Sequence, residues 1–189
     1  ESRLWVIDSG IKHDLVDSHY ATRNQECKDA LRLIREINPS LTCLAQADEQ
    51  LIGQADLPES ARKRALHVVR EQERVRSFRK GLEKKTGLRD LGRLLTDSHQ
   101  SSCELFENSC TELDALVQSL IKHENVLGAR LTGGGFGGAV LAWTTTEFQQ
   151  TDADKIASSY ESQFGRCPET HCFSPSRGAG IEDWKQAED

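Results

Sequence analysis

The sequence predicts an α+β domain whose elements follow the order β-α-β-β-α-β, with additional helices in the first crossover. Four short segments have the apolar pattern of strands, at 3–8, 126–131, 139–143 and about 170–174. Between them, apolar residues recur at helical spacing, in several segments before the second strand and in one before the last. This outline is that of a ferredoxin-like domain. No linker, repeat or low-complexity stretch divides the chain, so we expect a single domain over residues 1–189.

The composition is that of an ordinary globular protein, with 37% hydrophobic and 29% charged residues. No apolar run approaches the roughly 20 residues that cross a bilayer. The net charge of −6 argues against nucleic acid as a partner, because such binding requires a dense basic surface. Two basic clusters, Arg62-Lys63-Arg64 and Lys84-Lys85, are expected on solvated helix faces. The chain has no initiator Met and opens directly into Leu4-Trp5-Val6-Ile7, so we expect it to belong to a longer protein.

In the first half of the chain, the sequence pattern predicts some elements strongly and others weakly. Leu4, Val6 and Asp8 alternate with Trp5 and Ile7 in the first strand. A helix is predicted at about 21–37, with Pro39 after its end, and residues 40–57 suggest only a loop or short helix. A long helix is predicted at about 59–82, and another begins at Leu88. One apolar face is predicted for the long helix, formed by Ala65, Val68, Val69, Val75, Phe78 and Leu82.

The second half begins with a predicted capping box, in which Ser109 and Glu112 occupy the S-x-x-E positions. The helix after it carries apolar residues at helical spacing, namely Leu113, Leu116, Val117, Leu120 and Ile121. Two strands follow, at 126–131 and 139–143, separated by a glycine-rich segment. A helix spanning Ala153 to Phe164 is expected to stop at Gly165, before a last strand and a polar tail.

The six cysteines show no C-x-x-C spacing, and a chain of this length does not require disulfides. Cys167, His171 and Cys172 lie close in sequence but lack a fourth ligand at a suitable spacing, so no metal site is expected there. We expect reduced and mostly buried thiols.

Residues 133–138 contain five glycines in six positions. A tight hairpin turn requires one or two glycines, so a purely structural turn leaves the others unexplained. Additional glycines are useful where backbone N–H groups approach a bulky ligand or another loop. A structural turn and a phosphate-associated loop are therefore the two interpretations, and the number of glycines favours the second.

Three well-known glycine motifs do not fit this loop. A dinucleotide site requires a helix after the glycines, whereas Val140-Leu141-Ala142-Trp143 favours a strand. The protein-kinase loop requires V-A-I-K, H-R-D and D-F-G segments downstream, and none occurs. No Gly-Lys-Ser/Thr is present for a Walker A loop.

The segment Leu131–Gly138 resembles the third conserved motif of the GHMP kinases in its galactokinase form, with Ala139 in place of the usual Cys. Asp8–Leu15 resembles the galactokinase segment around a Lys/Arg-His pair. Residues 17–27 resemble its S-x-x-Y-x-x-R-x-x-x-C stretch, although Ser18 stands one position nearer the tyrosine. Ser98–Ser101 and Ser109–Asp114 also look like family segments in the expected order.

This resemblance implies the C-terminal domain of a galactokinase-like enzyme, in which ATP phosphorylates the anomeric hydroxyl of galactose with magnesium. It implies that ATP, magnesium and the catalytic residues belong mainly to an N-terminal half of the same cytoplasmic protein, and that this chain alone is inactive. No nucleic acid or membrane partner is implied. Two alternatives remain, a non-catalytic ferredoxin-like binding or regulatory module and a kinase for a related monosaccharide such as arabinose.

Two roles carry over by resemblance. Tyr20 matches a tyrosine that contacts the sugar. The alternative is a purely structural role, in which a half-buried tyrosine caps the first helix. The glycine motif matches the turn beside the nucleotide loop, and its residues are expected to support the phosphate site: Thr132, Gly133, Gly134, Gly135, Phe136, Gly137 and Gly138. Within it, Phe136 is expected to anchor the turn rather than contact a ligand.

Four other candidates are weaker. Lys12 and His13 could approach a phosphate, but a pair at a strand end is more often structural. Arg23 could be an electrostatic partner of Asp14 or Asp17. Asp8 has no nucleophile or base near it in sequence, and His99 is expected to make a polar contact rather than act as a base.

Overall fold

The computed structural model describes residues 1–12 and 16–176, with the side chains of residues 16–18 left out. The strands are β1 (Ser2–Asp8), β2 (Val126–Thr132), β3 (Ala139–Thr145) and β4 (Glu169–Phe173). The α-helices are α1 (Val16–Ile37), α2 (Glu49–Gln54), α3 (Glu59–Glu83), α4 (Leu88–Ser101), α5 (Thr111–Ile121) and α6 (Gln150–Phe164). A 3-10 turn spans Leu44–Gln46, and a π-helical segment, Ser102–Phe106, continues α4.

The four strands form one antiparallel sheet in the order β2-β3-β1-β4. This order, with α6 between β3 and β4, is the ferredoxin-like arrangement that the sequence predicted. Five helices, α1 to α5, lie between β1 and β2 along the chain, where the sequence predicted more than the single helix of the ferredoxin-like outline. Asp8 pairs with Ala139, so the end of β1 lies directly beside the end of the glycine-rich segment.

One face of the sheet carries the main core, where Trp5 and Ile7 pack with side chains of α5 and α6. The helices α1, α2 and α3 share a second core, which includes Ile34, Ile52 and Val69. On the other sheet face, α4 approaches β2 so closely that a Cβ at Gly92 would overlap the carbonyl oxygen of Leu127. Among the described residues, the longest helices are too polar to cross a membrane.

Several predicted boundaries and faces require correction. Helix α1 begins at Val16 rather than near 21, so Tyr20 and Arg23 lie within it. The predicted apolar face of α3 is only partly buried, since Val75 and Leu82 are 60% and 54% exposed. They border an apolar groove instead of packing into the core. The predicted end of α6 is confirmed, because Gly165 adopts the left-handed conformation that terminates it.

The predicted capping box at Ser109 is wrong. The residue before α5 is Cys110, whose side chain makes no capping hydrogen bond. The hydroxyl of Ser109 instead donates to the carboxylate of Asp114, which lies in the first turn of α5.

The predicted burial of the thiols is also wrong. Cys43, Cys167 and Cys172 are exposed, and the remaining three cysteines are half-buried. All six are free.

Candidate functional site: the glycine loop

The segment Gly133–Gly138, called the glycine loop below, connects β2 to β3 through an unusual backbone path. Four of its glycines have positive φ angles: Gly133 (82°), Gly135 (80°), Gly137 (128°) and Gly138 (79°). Phe136 also has a positive φ, of 60°, a conformation that a bulky residue rarely adopts. The turn itself therefore requires four glycines, more than the one or two expected of a hairpin.

Gly134 is the exception. Its φ lies outside the left-handed region, and a Cβ at this position would meet no atom of the described chain within 4 Å. A Cβ at Gly135, in contrast, would overlap the carbonyl oxygen of Asn108. The fold of this chain explains a glycine at 135 and does not explain one at 134.

Backbone hydrogen bonds fix both ends of the glycine loop. The N–H and hydroxyl groups of Ser9 donate to the carbonyl of Gly138, at 2.9 and 2.6 Å. The N–H of Gly138 donates in turn to the carbonyl of Ile11, at 3.0 Å. The hydroxyl of Tyr160 donates to the carbonyl of Ser9, at 3.0 Å, which ties this junction to α6. The segment after β1 and the glycine loop thus form one connected surface.

The outer side of this surface is a concavity of about 300 Å³, lined by Ile11, Lys12 and residues 132–138. The N–H groups of Gly133, Gly134 and Gly137 have no acceptor among the described residues. Adjacent N–H groups without acceptors, with an exposed lysine beside them, form a site suited to an anion. Lys12 lines this concavity, whereas His13 falls outside the described residues.

Phe136 is 8% exposed and packs on α1. Its ring centroid lies 5.1 Å from that of His19 and 5.8 Å from the guanidinium carbon of Arg23. The prediction that Phe136 anchors the turn is therefore confirmed. Tyr20 follows His19 on the same helix and is 56% exposed. It lies within α1, which begins at Val16, and so does not cap that helix.

Arg23 has two electrostatic partners among the described residues. It contacts Glu26, at 3.4 Å, and Glu107, at 3.9 Å. The predicted pairing with Asp14 or Asp17 stays a prediction, because Asp14 and the side chain of Asp17 lie outside the described residues. The two carbonyls that Arg23 binds, those of Phe106 and Glu107, lie 2.8 and 3.0 Å from its donor nitrogens.

The prediction of a solvated face for the 62–64 cluster is wrong at Arg64. This side chain is buried and pairs with Glu26 and Glu107, each at 2.7 Å. Lys63 pairs with Glu107 at 2.8 Å. Lys63 and Arg64 together lower the pKa of the Glu107 carboxyl to about 2, chiefly through their hydrogen bonds to it.

His99 is buried beside Leu131 of β2 and forms a triad with Cys103 and Asp114, which are both partly exposed. Its Nε2 lies 3.4 Å from Asp114 Oδ1 and 3.6 Å from Cys103 Sγ. Its Nδ1 accepts the N–H of Leu131 at 3.3 Å, so the proton of the neutral ring lies on Nε2. A protonated nitrogen cannot bind a metal ion. Burial also raises the pKa of Cys103 to about 12, so its thiol stays protonated.

This is the one group of potential metal ligands among the described residues. Its hydrogen bonding indicates a structural role, and the prediction that His99 makes a polar contact is confirmed. The carboxylate of Asp8, another candidate, accepts the N–H of Gly10 at 2.9 Å and is otherwise exposed.

Sequence reasoning missed Asn108 entirely. This residue is 7% exposed and contacts the glycine loop twice, through its carbonyl and its side-chain amide. It lies in the short connection between α4 and α5, where no periodic pattern marks it. Its partners are about 26 residues away along the chain, a separation that no local pattern encodes.

Comparison with known proteins finds similarity to one family. Residues 78–166 match the family described as GHMP kinases C terminal. The galactokinase of Thermotoga neapolitana is 36% identical over 159 residues, which is 84% of this chain and 43% of the relative. The galactokinase of Pasteurella multocida is 33% identical over 184 residues, or 94% of this chain and 46% of the relative. The chain thus spans less than half the length of these curated relatives.

Two solved structures resemble this chain. A crystal structure of Lactococcus lactis galactokinase complexed with galactose has a TM-score of 0.83 at 27% identity, covering 90% of this chain and 44% of that one. L. major mevalonate kinase, in complex with R-mevalonate, has a TM-score of 0.53 at 20% identity, covering 94% and 44%. The second likeness concerns the fold alone.

Proposed function

Given that this chain is a galactokinase-like C-terminal domain of the GHMP kinases, we propose that the protein containing it transfers a phosphate group from ATP to the anomeric hydroxyl of galactose. The chain accounts for less than half of the curated relatives. The catalytic residues, and most contacts to ATP, are therefore assigned to the remaining part of the protein.

The glycine loop carries this proposal. It presents N–H groups without acceptors, as far as the described chain goes, around a concavity that also contains Lys12. Phosphoryl transfer depends on positioning and on stabilisation of charge rather than on covalent help from the protein. N–H groups that point at the phosphate oxygens supply such stabilisation, and Lys12 adds a positive charge. The open side of Gly134 leaves room for the backbone to approach a phosphate or the loop that holds it.

Magnesium, when bound with ATP, neutralises charge on the phosphates. The triad formed by His99, Cys103 and Asp114 does not suit this ion, since magnesium prefers oxygen ligands and the thiol is protonated. We therefore assign the magnesium ligands to the remaining part of the protein.

Tyr20 is proposed to contact the sugar. Its exposed position on α1, directly after His19, places it beside the residue that packs on Phe136. A sugar hydroxyl near the transferred phosphate would thus have a hydrogen-bonding partner on this helix.

The test is a phosphorylation screen of the full-length protein with ATP and magnesium over galactose, arabinose and related monosaccharides. We expect galactose 1-phosphate as the principal product, and no sugar phosphate when this chain is used alone. Preference for another sugar would reassign the substrate. Phosphorylation of none of them would favour the non-catalytic module, and turnover by this chain alone would contradict the assignment of catalysis to the remaining part.

A further inference from the structure

Asn108 binds the glycine loop at two points. Its carbonyl accepts the N–H of Phe136 at 2.7 Å, and its Nδ2 donates to the carbonyl of Gly134 at 3.1 Å. The two bonds bracket Gly135, which lies against the carbonyl of Asn108. The position of the central part of the loop therefore follows the position of Asn108.

Asn108 is itself held at the end of an irregular segment. The π-helical turn Ser102–Phe106 precedes Glu107, whose φ of 54° is in the left-handed region. π-Helical turns and left-handed non-glycine residues are uncommon and persist where the surrounding structure enforces them. The N–H of Asn108 donates back to the carbonyl of Ser102, at 3.2 Å.

Two arginines enforce this backbone path. Arg64 donates to the carbonyl of Leu105, and Arg23 donates to the carbonyls of Phe106 and Glu107. Three successive carbonyls are thus bound by side chains from α3 and α1. The side chains of Arg23, Glu26, Arg64 and Glu107 form one connected set of ion pairs, called the arginine cluster below.

The arginine cluster also connects the loop to the proposed sugar contact. Arg23 follows Tyr20 by three residues on α1, so the two side chains share one side of the helix. The same Arg23 lies 5.8 Å from the ring of Phe136 in the glycine loop. The spacing between Tyr20 and the glycine loop is therefore set by partly buried charge pairs around the buried Arg64.

We propose that Asn108 is a positioning residue, which together with the arginine cluster holds the glycine loop at the distance from Tyr20 that phosphate transfer requires. This inference rests on the proposed function. It assigns to Asn108 no contact with a ligand; the residue acts through Gly134 and Phe136.

The first variant is Asn108→Ala in the full-length protein. It removes the bond to Gly134 and keeps the backbone bond to Phe136. It also removes Asn108 Oδ1, a buried acceptor without a partner among the described residues, so little loss of stability is expected. We expect kcat to fall about three- to tenfold, with the KM for galactose and the melting temperature nearly unchanged.

The matched control is Asn38→Ala, which removes a half-buried asparagine that accepts bonds from Ser40, at the end of α1 remote from the glycine loop. It is expected to leave kcat unchanged. Equal kcat values for the two variants, or a loss at Asn108 that merely follows a lower melting temperature, would overturn the inference.

A second measurement does not depend on activity. The Arg23 guanidinium binds two carbonyls through a rigid planar fork that lysine lacks. In the Arg23→Lys variant of the full-length protein, hydrogen exchange in the peptide containing residues 132–138 should therefore accelerate about three- to tenfold. Exchange at the wild-type rate would contradict the role of the arginine cluster. If the wild-type protein phosphorylates no sugar, the proposed function fails, and this exchange measurement still decides whether the arginine cluster holds the loop.

Discussion

The carbonyl oxygen of Asn108 occupies the space into which a side chain at Gly135 would project. Asn108 belongs to the connection between α4 and α5, whereas Gly135 belongs to the turn between β2 and β3. The contact therefore joins the helical part of the domain to the sheet at the turn of the glycine loop. Glycine is required at 135 by this chain alone, before any ligand is considered.

Gly135→Ala is expected to destabilise the domain by about 3 kcal/mol, because the variant combines a strained φ with an overlap against backbone. Chemical denaturation measures this directly. Gly53→Ala is the control, since Gly53 lies in α2 with open space around it and no positive φ. That variant should gain about 0.5–1 kcal/mol. Similar stabilities for the two variants would show that the Asn108 contact is not tight.

Gly128→Ala should destabilise the domain by about 3 kcal/mol, because a Cβ on β2 would overlap the carbonyl oxygen of Gly92 in α4. The neighbouring strand and helix backbones cannot both retreat without losing the packing of Leu91 and Leu127. Thermal denaturation checks the prediction, again with Gly53→Ala as the reference. A melting temperature equal to that of the wild type would mean that α4 moves freely over the sheet.

Tyr20→Phe in the full-length protein is expected to raise the KM for galactose about fivefold and to change the KM for ATP much less. Tyr20 is 56% exposed, so the loss of its hydroxyl should leave the stability of the domain unchanged. Steady-state kinetics with each substrate varied in turn separates the two constants. Equal effects on both, or no effect, would contradict the sugar contact.

The stability of the domain is expected to fall as the pH decreases from about 6.5 to 4. Burial lowers the pKa of His67 to about 4, and its Nδ1 lies 2.9 Å from the hydroxyl of Ser101. Glu71 opposes this shift, whereas Arg74 and Arg130 add to it. Between these two pH values the imidazole binds a proton in the unfolded chain but not in the folded chain, which lowers the free energy of unfolding by about 2 kcal/mol. Above about pH 6.5 the imidazole is neutral in both states, so this loss of stability is absent.

The measurement is urea denaturation at pH 7, 5.5, 4 and 3, with His67→Gln as the comparison. The variant should lose less stability over this range, and a further decline below about pH 4.5 should remain in both proteins. That decline belongs to Glu107, whose depressed pKa stabilises the fold above the ordinary pKa of a glutamate and no longer does so once the carboxyl is protonated. An identical pH profile for both proteins would exclude His67.

The sequence predicted the elements well where the signal is local. Gly165 ends α6 because only a left-handed residue fits there, and the alternation in 3–8 and 139–143 identifies two strands directly. The order of the elements then determined the sheet. Local patterns were misleading at Ser109, since its hydroxyl is attracted by a carboxylate one turn away rather than by the free N–H groups of the helix.

The parts of the site that the sequence could not predict all depend on distant partners. In the sequence, Arg64 is one of three consecutive basic residues on a predicted helix. Its partners Glu26 and Glu107 lie 38 and 43 residues away along the chain and meet it only in the folded protein. The glycine motif was recognised, but the separate structural roles of its glycines were not predicted. Four of its glycines satisfy the turn, and Gly134 alone is left unexplained by the described chain.

Gly134→Ala therefore tests the central claim most directly, which is that the glycine loop is kept free of side chains so that it can approach the ATP-binding part of the protein. We expect the variant of the full-length protein to lose about 100-fold in kcat/KM for ATP, because a methyl group would displace the phosphates. Its free energy of unfolding should stay at or slightly above the wild-type value, since the added Cβ meets nothing in this chain. Full activity in a stably folded Gly134→Ala protein would contradict the account.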